Sequence, residues 1–253
     1  MKILKKIMKF ILKLFKWSLI LGFILALVGF LAGTIYSAGV IKQTPKITEE
    51  MITKATGGTT NMYDSTGQII YSDNDHRRDY IRYDEIPNKY IELLLATENK
   101  NYWNEKGWSF EAILAAIKSK GARGGSTIEQ QLIKNLVFSS DVKDRTIDRK
   151  IKEIWLASQM DLNFDKKQIL EWYINLINMG EGSYGANTIA ITYYGQSLKD
   201  LTGDDAVTLS KLATIAGLGQ APSAYNLYDN PELVEERRNI VLLSALNNNK
   251  ITE

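Results

Sequence analysis

Carboxylate and basic side chains concentrate in three segments that could carry chemistry. In the first, Glu98 ends a helical pattern and precedes a polar, aromatic loop that stops at Gly107. A carboxylate at such a junction can lie at a cleft edge, where apolar neighbours tune its affinity for a proton. Glu98 is therefore a candidate acid or base, although this segment alone fits an ordinary surface glutamate better.

The second segment is a glycine-rich run that begins at Gly121 and leads into a helical pattern. Such a loop presents free backbone N–H groups and the positive end of the helix dipole, which favour an anion. Arg123 and Lys134 could add charges for a diphosphate. The spacing is not that of a Walker loop. The pattern also fits an ordinary helix start, with Ser126 and Glu129 as a capping box.

The third segment carries Arg149, Lys150 and Glu153. On a helix, Arg149 and Glu153 lie one turn apart on the same face, with Lys150 adjacent. The simplest interpretation is an exposed ion pair, worth a few tenths of a kcal/mol. A charged cluster for a diphosphate is the alternative.

Composition excludes several kinds of chemistry. The chain of 253 residues has no cysteine and one histidine, His76. Thiol nucleophiles, disulfides, cysteine-based zinc sites and multi-histidine metal sites are therefore excluded. His76 lies in a polar His-Arg-Arg run, which favours a solvated position. Acid–base chemistry must come from carboxylates, lysine, tyrosine or this histidine.

Charge and hydropathy divide the chain into an anchor and a domain. Residues 1–16 hold six lysines and no acid, which leaves 25 basic against 29 acidic residues elsewhere. Such a balance offers no basic field for nucleic acid, and the basic segment is suited to anionic lipid. We predict a cytoplasmic basic segment at 1–16, a transmembrane helix at 17–41, an extracellular stalk at 42–83 and a catalytic domain at 84–253.

Residues 17–41 contain no charge. A helix of this length spans roughly 37 Å, against a hydrocarbon core of about 30 Å. A cleaved signal peptide would have a shorter apolar core and a small-residue cleavage site. We therefore predict an uncleaved single-pass anchor in the cell membrane. The positive-inside rule places its N-terminus in the cytoplasm and the later domain outside.

Local patterns predict the elements that position the polar segments. The turn signal at 64–67 lies between two short apolar runs and predicts a hairpin within the stalk. Beyond residue 83 the apolar spacing is helical and strand signals are nearly absent. Asp165 and the pair Asn230–Pro231 are typical helix starts. The fold class is therefore mainly α, with one domain behind the anchor.

Taken together, five segments resemble the signatures of the peptidoglycan glycosyltransferases, glycosyltransferase family 51. The resemblance covers about residues 80–245, in the order of the family. The segments are Ala-Thr-Glu98; Gly-Gly-Ser-Thr-Ile-Glu-Gln-Gln-Leu-Ile-Lys134-Asn135; Arg-Lys-Ile-Lys-Glu153; Glu171-Trp-Tyr-Ile-Asn175 through Gly180-Glu-Gly-Ser-Tyr-Gly185 to Tyr193-Tyr-Gly195; and Ala216-Gly-Leu-Gly-Gln-Ala-Pro-Ser-Ala-Tyr-Asn226.

The resemblance implies a lysozyme-like glycosyltransferase domain that polymerises lipid II. By family logic Glu98 is the general base, and Glu153 organises the leaving diphosphate, which it could do through a divalent cation, Mg or Mn. No tightly bound cofactor is implied. The residues that match the family's substrate-binding positions are Ser126, Thr127, Gln130, Gln131, Lys134, Arg149 and Lys150. The implied partners are lipid II, the growing glycan strand, the membrane, and proteins of cell-wall synthesis or division.

Two positions depart from the family pattern. Asn99 stands where the family has Asp, and Glu105 stands where it has His. Loss of the neighbouring carboxylate is expected to make Glu98 a weaker base. Two alternatives therefore stay open. One is an inactive, membrane-anchored partner that binds lipid II. The other is a lysozyme-like muramidase, which would not need the basic cluster around a diphosphate.

Overall fold

The computed structural model describes residues 2–57, 61–72, 78–118, 125–138 and 146–252. The chain divides into two compact units. The first consists of Met1–Pro45 with Arg145–Lys152, and the second of Lys46–Asp144 with Glu153–Glu253. His76 and Arg123 lie outside the described residues.

In the first unit one helix, α1, runs from Lys2 to Lys42. Its stretch Lys5–Lys42 is long and apolar enough, by length and composition, to cross a membrane. At 1.5 Å per residue α1 is about 60 Å long, so it exceeds a hydrocarbon core of about 30 Å. The predicted basic segment and the predicted transmembrane helix are thus parts of one continuous helix, which fits a membrane anchor.

The second unit is mainly α, as predicted. Its helices are α2 (Glu49–Thr56), α3 (Asn88–Glu98), α4 (Phe110–Lys118), α5 (Ile128–Val137), α6 (Ile147–Asn163, which begins in the first unit), α7 (Lys166–Leu176), α8 (Ala186–Tyr194), α9 (Ala206–Leu218) and α10 (Pro231–Asn247). Two short hairpins and two single turns of 3₁₀ helix complete it: β1 (Asn61–Tyr63) with β2 (Ile69–Ser72), β3 (Asn178–Gly180) with β4 (Ser183–Tyr184), and the turns Tyr83–Glu85 and Leu198–Asp200.

The predicted hairpin in the stalk is present. In the antiparallel pair of β1 and β2, Met62 lies opposite Tyr71. The connecting turn is closed by Asp64, whose Oδ1 accepts hydrogen bonds from the backbone N–H groups of Thr66 and Gln68 at 2.8 and 2.9 Å. The short side chain of an aspartate can accept hydrogen bonds from backbone N–H groups of its own turn, and this local preference made the hairpin predictable.

The core lies where α3, α9 and α10 pack against one another, while α5 packs against α7. Leu93 of α3, Ile215 of α9 and Val241 of α10 are fully buried. Ser244 Oγ of α10 also donates a hydrogen bond of 2.7 Å to the carbonyl of Ala96. The end of α3 is thereby fixed beside α10.

Part of the predicted stalk is integral to the second unit. The side-chain amide of Asn175 in α7 accepts from the N–H of Ile81 at 2.9 Å and donates to its carbonyl at 2.8 Å. The backbone of Asp79 is bound in the same way by Thr188 and Asn187 of α8, at 2.8 and 3.1 Å. Residues 78–83 therefore form a strap whose backbone is paired by side chains of two helices.

Helix α2 also lies within the predicted stalk, and it packs against α7 and α5. Its Ile52 and the strap residue Ile81 are each only 2% exposed. The compact unit begins at Lys46, which is earlier than the boundary at residue 84 set by the change to a helical pattern. A periodic apolar pattern indicates helices only. It does not detect the strap, because the strap is held by side chains that are distant in sequence.

Candidate active site

Glu98 is the last residue of α3, and its side chain is only 14% exposed. Arg237 of α10 is more enclosed, at 8%, and its Nη2 lies 2.8 Å from Glu98 Oε1. The Nε of Arg237 donates to the carbonyl of Gly217 in α9 at 3.2 Å. An ion pair with arginine is made by a carboxylate and not by a carboxylic acid. The site therefore contains a shielded, oriented carboxylate.

Gln131 of α5 holds the other oxygen of this carboxylate. Its Nε2 donates to Glu98 Oε2 at 3.2 Å, and its Oε1 accepts from the hydroxyl of Tyr173 in α7 at 3.1 Å. Burial raises the pKa of Tyr173 well above 10.0, and the charge of Glu98 raises it further. The phenol therefore stays protonated and remains a donor. Both oxygens of Glu98 are thus fixed from inside the domain.

Thr127 and Gln130 are buried next to the loop that follows Glu98. Thr127 Oγ1 donates to the carbonyl of Gly107 at 2.9 Å, and Gln130 Nε2 approaches the same oxygen at 3.4 Å. Gly107 has a φ of +77°, and a Cβ there would lie 2.3 Å from the carbonyl oxygen of Ala157 in α6. These contacts join the loop to α5 and α6. Direct contact of Thr127 or Gln130 with substrate stays a prediction.

Ser126 and Lys134 lie at opposite ends of α5. Ser126 is partly buried just before the helix, and Lys134 is exposed in its last turn. Lys134 follows Gln131 by three positions, so the two side chains leave the helix on neighbouring turns. The positive charge of Lys134 is therefore carried by the same helix that binds Glu98.

Glu153, Arg149 and Lys150 all lie on α6. Glu153 is buried, with 8% of its surface exposed, and belongs to the second unit. Arg149 and Lys150 are partly buried and belong to the first unit, since the division crosses α6 after Lys152. The predicted spacing of one helical turn between Arg149 and Glu153 is present. The clustering of these residues around a diphosphate stays a prediction.

A metal site made of protein ligands alone is not found in the described parts of the chain, where no three His, Cys, Asp or Glu side chains come together. Mg²⁺ commonly takes one or two carboxylates and completes its shell with water and substrate phosphates. A role of Glu153 as such a single carboxylate ligand stays a prediction.

Glu129 does not form the predicted capping box. The N-cap of α5 is Thr127, whose side chain accepts from the N–H of Gln130. Glu129 is fully buried and pairs with Lys166 of α7, which also lies 2.6 Å from Asp161 Oδ1. The capping pattern fitted the local sequence, but a buried carboxylate requires a charged partner. That partner lies in another helix.

The two departures from the family pattern lie at the C-terminal end of α3 and in the loop that follows it. Asn99 is the C-cap of α3, and its N–H donates to the carbonyl of Leu95. The side-chain Nδ2 of Asn99 and the Oε2 of Glu105 are buried, and neither has a hydrogen-bond partner among the residues that the structure describes. Each departure therefore places a buried polar atom within seven positions of Glu98 in the sequence.

Arg237 and Tyr173 were not predicted as site residues. Tyr173 is part of a segment that carries the family resemblance, but nothing in that segment assigns it a role. Arg237 is followed by Arg238, which is only partly buried and pairs with the exposed Glu235 at 3.0 Å. Two adjacent arginines look alike in the sequence, and only the packing of α10 distinguishes them.

The site thus contains a shielded carboxylate held by arginine and amide side chains on a mainly helical domain. The chain belongs to the Transglycosylase family, whose model matches residues 65–246. The domain therefore has the lysozyme-like fold of this family.

Curated relatives carry the name penicillin-binding protein. Penicillin-binding protein 1A of Aquifex aeolicus is 39% identical over 196 residues, 76% of this chain and 26% of the relative. Penicillin-binding protein 1A of Streptococcus oralis is 35% identical over 207 residues, which are 80% of this chain and 31% of the relative. Penicillin-binding protein 1A/1B of Bacillus subtilis is 34% identical over 234 residues, which are 90% of this chain and 24% of the relative. The chain thus spans about a quarter to a third of these relatives.

A solved structure is also similar, that of penicillin-binding protein 1A from Haemophilus influenzae. It matches with a TM-score of 0.42 and 26% identity, over 78% of this chain and 19% of that one.

Proposed function

We propose that this protein is a peptidoglycan glycosyltransferase that polymerises lipid II into glycan strands. The observation that carries the proposal is the ion pair between Glu98 and Arg237, with 2.8 Å between Nη2 and Oε1. It supplies a carboxylate that is charged, oriented and mostly shielded from water, which is what a general base requires. Membership of the Transglycosylase family supports the reaction class.

In the proposed reaction, Glu98 accepts the proton of the 4-hydroxyl of an incoming lipid II. The oxygen of that hydroxyl attacks the anomeric carbon of the growing strand, and the configuration at that carbon inverts. The bond from the anomeric carbon to the diphosphate breaks, and the polyprenyl diphosphate leaves with the bonding electrons. Lys134, Arg149 and Lys150 stabilise the developing negative charge. Glu153 orients the diphosphate and could share a divalent cation with it.

The same ion pair argues against a muramidase. The catalytic acid of a lysozyme is kept protonated by an apolar pocket and donates its proton to the leaving oxygen. Glu98 instead faces a guanidinium and an amide N–H, which are partners of an ionised carboxylate. Proton abstraction is therefore the role that its surroundings favour.

We also propose a single-pass arrangement, with the basic end of α1 in the cytoplasm and the second unit outside the cell. The support is the charge distribution, since six lysines precede the apolar stretch and no acid accompanies them. Association with other proteins of cell-wall synthesis or division is a further part of this proposal.

The test is polymerisation by the detergent-solubilised full chain, incubated with lipid II and Mg²⁺ or Mn²⁺ and analysed on a gel. We expect polymer from the wild type and none from Glu98→Gln, which keeps the shape but cannot accept the proton. Glu92→Gln is the matched control, because Glu92 is on the same helix but pairs with Lys89 at the surface. This variant should polymerise normally.

Other outcomes would select the alternatives. Lipid II binding by the wild type without polymer would identify an inactive partner, and reversion of Asn99 to Asp and Glu105 to His would then be the next variants. Release of soluble sugars from finished cell wall would identify a muramidase.

A further inference from the structure

Three side chains from three helices form a hydrogen-bonded chain that ends at the catalytic carboxylate. Tyr173 of α7 donates to Gln131 of α5, and Gln131 donates to Glu98 of α3, over 3.1 and 3.2 Å. Tyr173 is only 2% exposed, so its hydroxyl is shielded from solvent. Among the described residues, its hydrogen-bond partner is the Gln131 amide.

We propose that Tyr173 is a positioning residue, whose hydroxyl determines which edge of the Gln131 amide faces Glu98. This inference rests on the proposed role of Glu98 as the base. When the hydroxyl is present, the amide N–H is directed at Glu98 Oε2, and the carboxylate is held ionised and in place. When it is absent, only the carboxylate still favours this orientation, and the amide carbonyl loses the donor that holds its other end.

The physical reason lies in the symmetry of an amide. The oxygen and nitrogen ends of Gln131 have nearly the same size, so packing alone does not choose between its two flipped orientations. A carboxylate only accepts hydrogen bonds, so the edge that faces Glu98 must be the N–H edge. The opposite edge is then the carbonyl, and it needs a donor, because an unpaired buried acceptor is costly. Tyr173 is that donor.

The charge state of Tyr173 supports this assignment. Because burial raises its pKa well above 10.0, the hydroxyl keeps its proton at any pH at which the enzyme works. A phenol that stays neutral can donate to the carbonyl without adding a second negative charge beside Glu98. The donor to the Gln131 carbonyl therefore does not change its charge with pH.

Tyr90 provides a matched control for removal of this hydroxyl. It lies on α3 and is fully buried in the same core, and its hydroxyl has no hydrogen-bond partner among the described residues. Tyr90→Phe and Tyr173→Phe delete the same atom from similar surroundings. Only Tyr173→Phe removes a contact to Gln131.

The kinetic test compares these two variants, with Gln131→Met and the double variant Tyr173→Phe/Gln131→Met, in the polymerisation assay. We expect kcat of Tyr173→Phe to fall roughly three- to tenfold, the effect of one hydrogen bond. KM for lipid II should not change, because Tyr173 does not reach the substrate. The acid limb of the pH–rate profile should move to higher pH, since a carboxylate that loses a donor binds its proton more tightly.

Tyr90→Phe should match the wild type in all three respects. The double variant should be no slower than Gln131→Met alone, because Tyr173 acts only through Gln131. Equal losses in Tyr90→Phe and Tyr173→Phe, or losses that multiply in the double variant, would overturn the proposal.

A second measurement does not depend on activity. In the full chain labelled with ¹³C at the glutamate carboxyls, the Glu98 signal is identified by its absence in Glu98→Gln. We expect its titration midpoint to rise in Tyr173→Phe and Gln131→Met but not in Tyr90→Phe. An unchanged midpoint in Tyr173→Phe overturns this inference, even if the wild type polymerises. Absence of polymer from the wild type contradicts the proposed function, and the titration then still decides whether Tyr173 orients Gln131.

Discussion

Arg237 lies 139 positions after Glu98 in the chain, yet the two side chains meet at 2.8 Å. The guanidinium also binds the carbonyl of Gly217, so its orientation is set by α9 and not by Glu98 alone. Three helices, α3, α9 and α10, therefore converge on one carboxylate. The charge state and the geometry of the candidate base both depend on residues that the family signatures around Glu98 do not contain.

Replacement of Arg237 by Gln should reduce both stability and activity. It leaves a nearly buried carboxylate without its countercharge, and the loss of one partner from such a pair costs about 3 kcal/mol. Polymerisation should fall roughly tenfold or more, because Glu98 is then poorly oriented. Arg237→Lys should have an activity and a stability between those of this variant and the wild type. Lysine keeps the positive charge, but it cannot bind both Glu98 and the carbonyl of Gly217 as the guanidinium does. Thermal unfolding and the polymer assay measure these effects.

Arg238→Gln is the control for this prediction. Arg238 is the adjacent residue on α10, but its partner Glu235 is 63% exposed. An exposed ion pair contributes about 0–1 kcal/mol. Arg238→Gln should therefore retain nearly full stability and activity, and similar effects of the two substitutions would contradict the importance of the pair with Glu98.

Gly107→Ala should be more destabilising than Gly195→Ala, although both glycines have positive φ angles of 77° and 63°. The shared backbone strain costs about 1–2 kcal/mol in each case. At Gly107 the new Cβ would also lie 2.3 Å from the carbonyl oxygen of Ala157. At Gly195, apart from its chain neighbours, no atom of the described residues would lie within 4 Å of the new Cβ. Differential scanning calorimetry of both variants tests this, and equal decreases in melting temperature would refute it.

Asp205 should contribute a pH-dependent part of the stability. It is the N-cap of α9, and hydrogen bonds from the side chain of Thr208 and from the backbone N–H groups of Thr208 and Val207 lower its pKa below 3.8. A carboxyl whose pKa is lower in the folded state stabilises the fold above the unfolded value. That contribution disappears as pH falls through the folded value.

Asp205→Asn separates this effect from capping. Asn is an equally good N-cap but does not titrate. The difference in melting temperature between the wild type and Asp205→Asn should therefore shrink as the pH is lowered below 3.8. A difference that does not vary with pH would mean that the charge of Asp205 has no role.

Features set by neighbouring residues could be predicted from the sequence. The hairpin around Asp64, the N-cap at Asp165 and the first-turn proline of α10 are all present, because each depends on contacts within a few positions. The position of Glu98 at the end of α3 follows in the same way from the helical pattern and the polar loop after it.

Features set by packing between distant helices could not be predicted. Glu129 fits a capping box by its spacing, but its charged partner is Lys166, in α7. The burial of Arg237 rather than Arg238 depends on which face of α10 meets α3 and α9. The strap at 78–83 is held by side chains of α7 and α8, so its own sequence carries no periodic signal.

The pairing of α3 with α10 also determines when, during synthesis of the chain, Glu98 can be held in place. A ribosome releases Glu98 long before it releases Arg237, and α10 is the last helix of the second unit. Until then the carboxylate has no guanidinium to hold it, and the fold that shields it lacks one of its three converging helices. We therefore expect nascent chains that stop before α10 to be inactive, because the proposed base is held in place only after α10 has been synthesised.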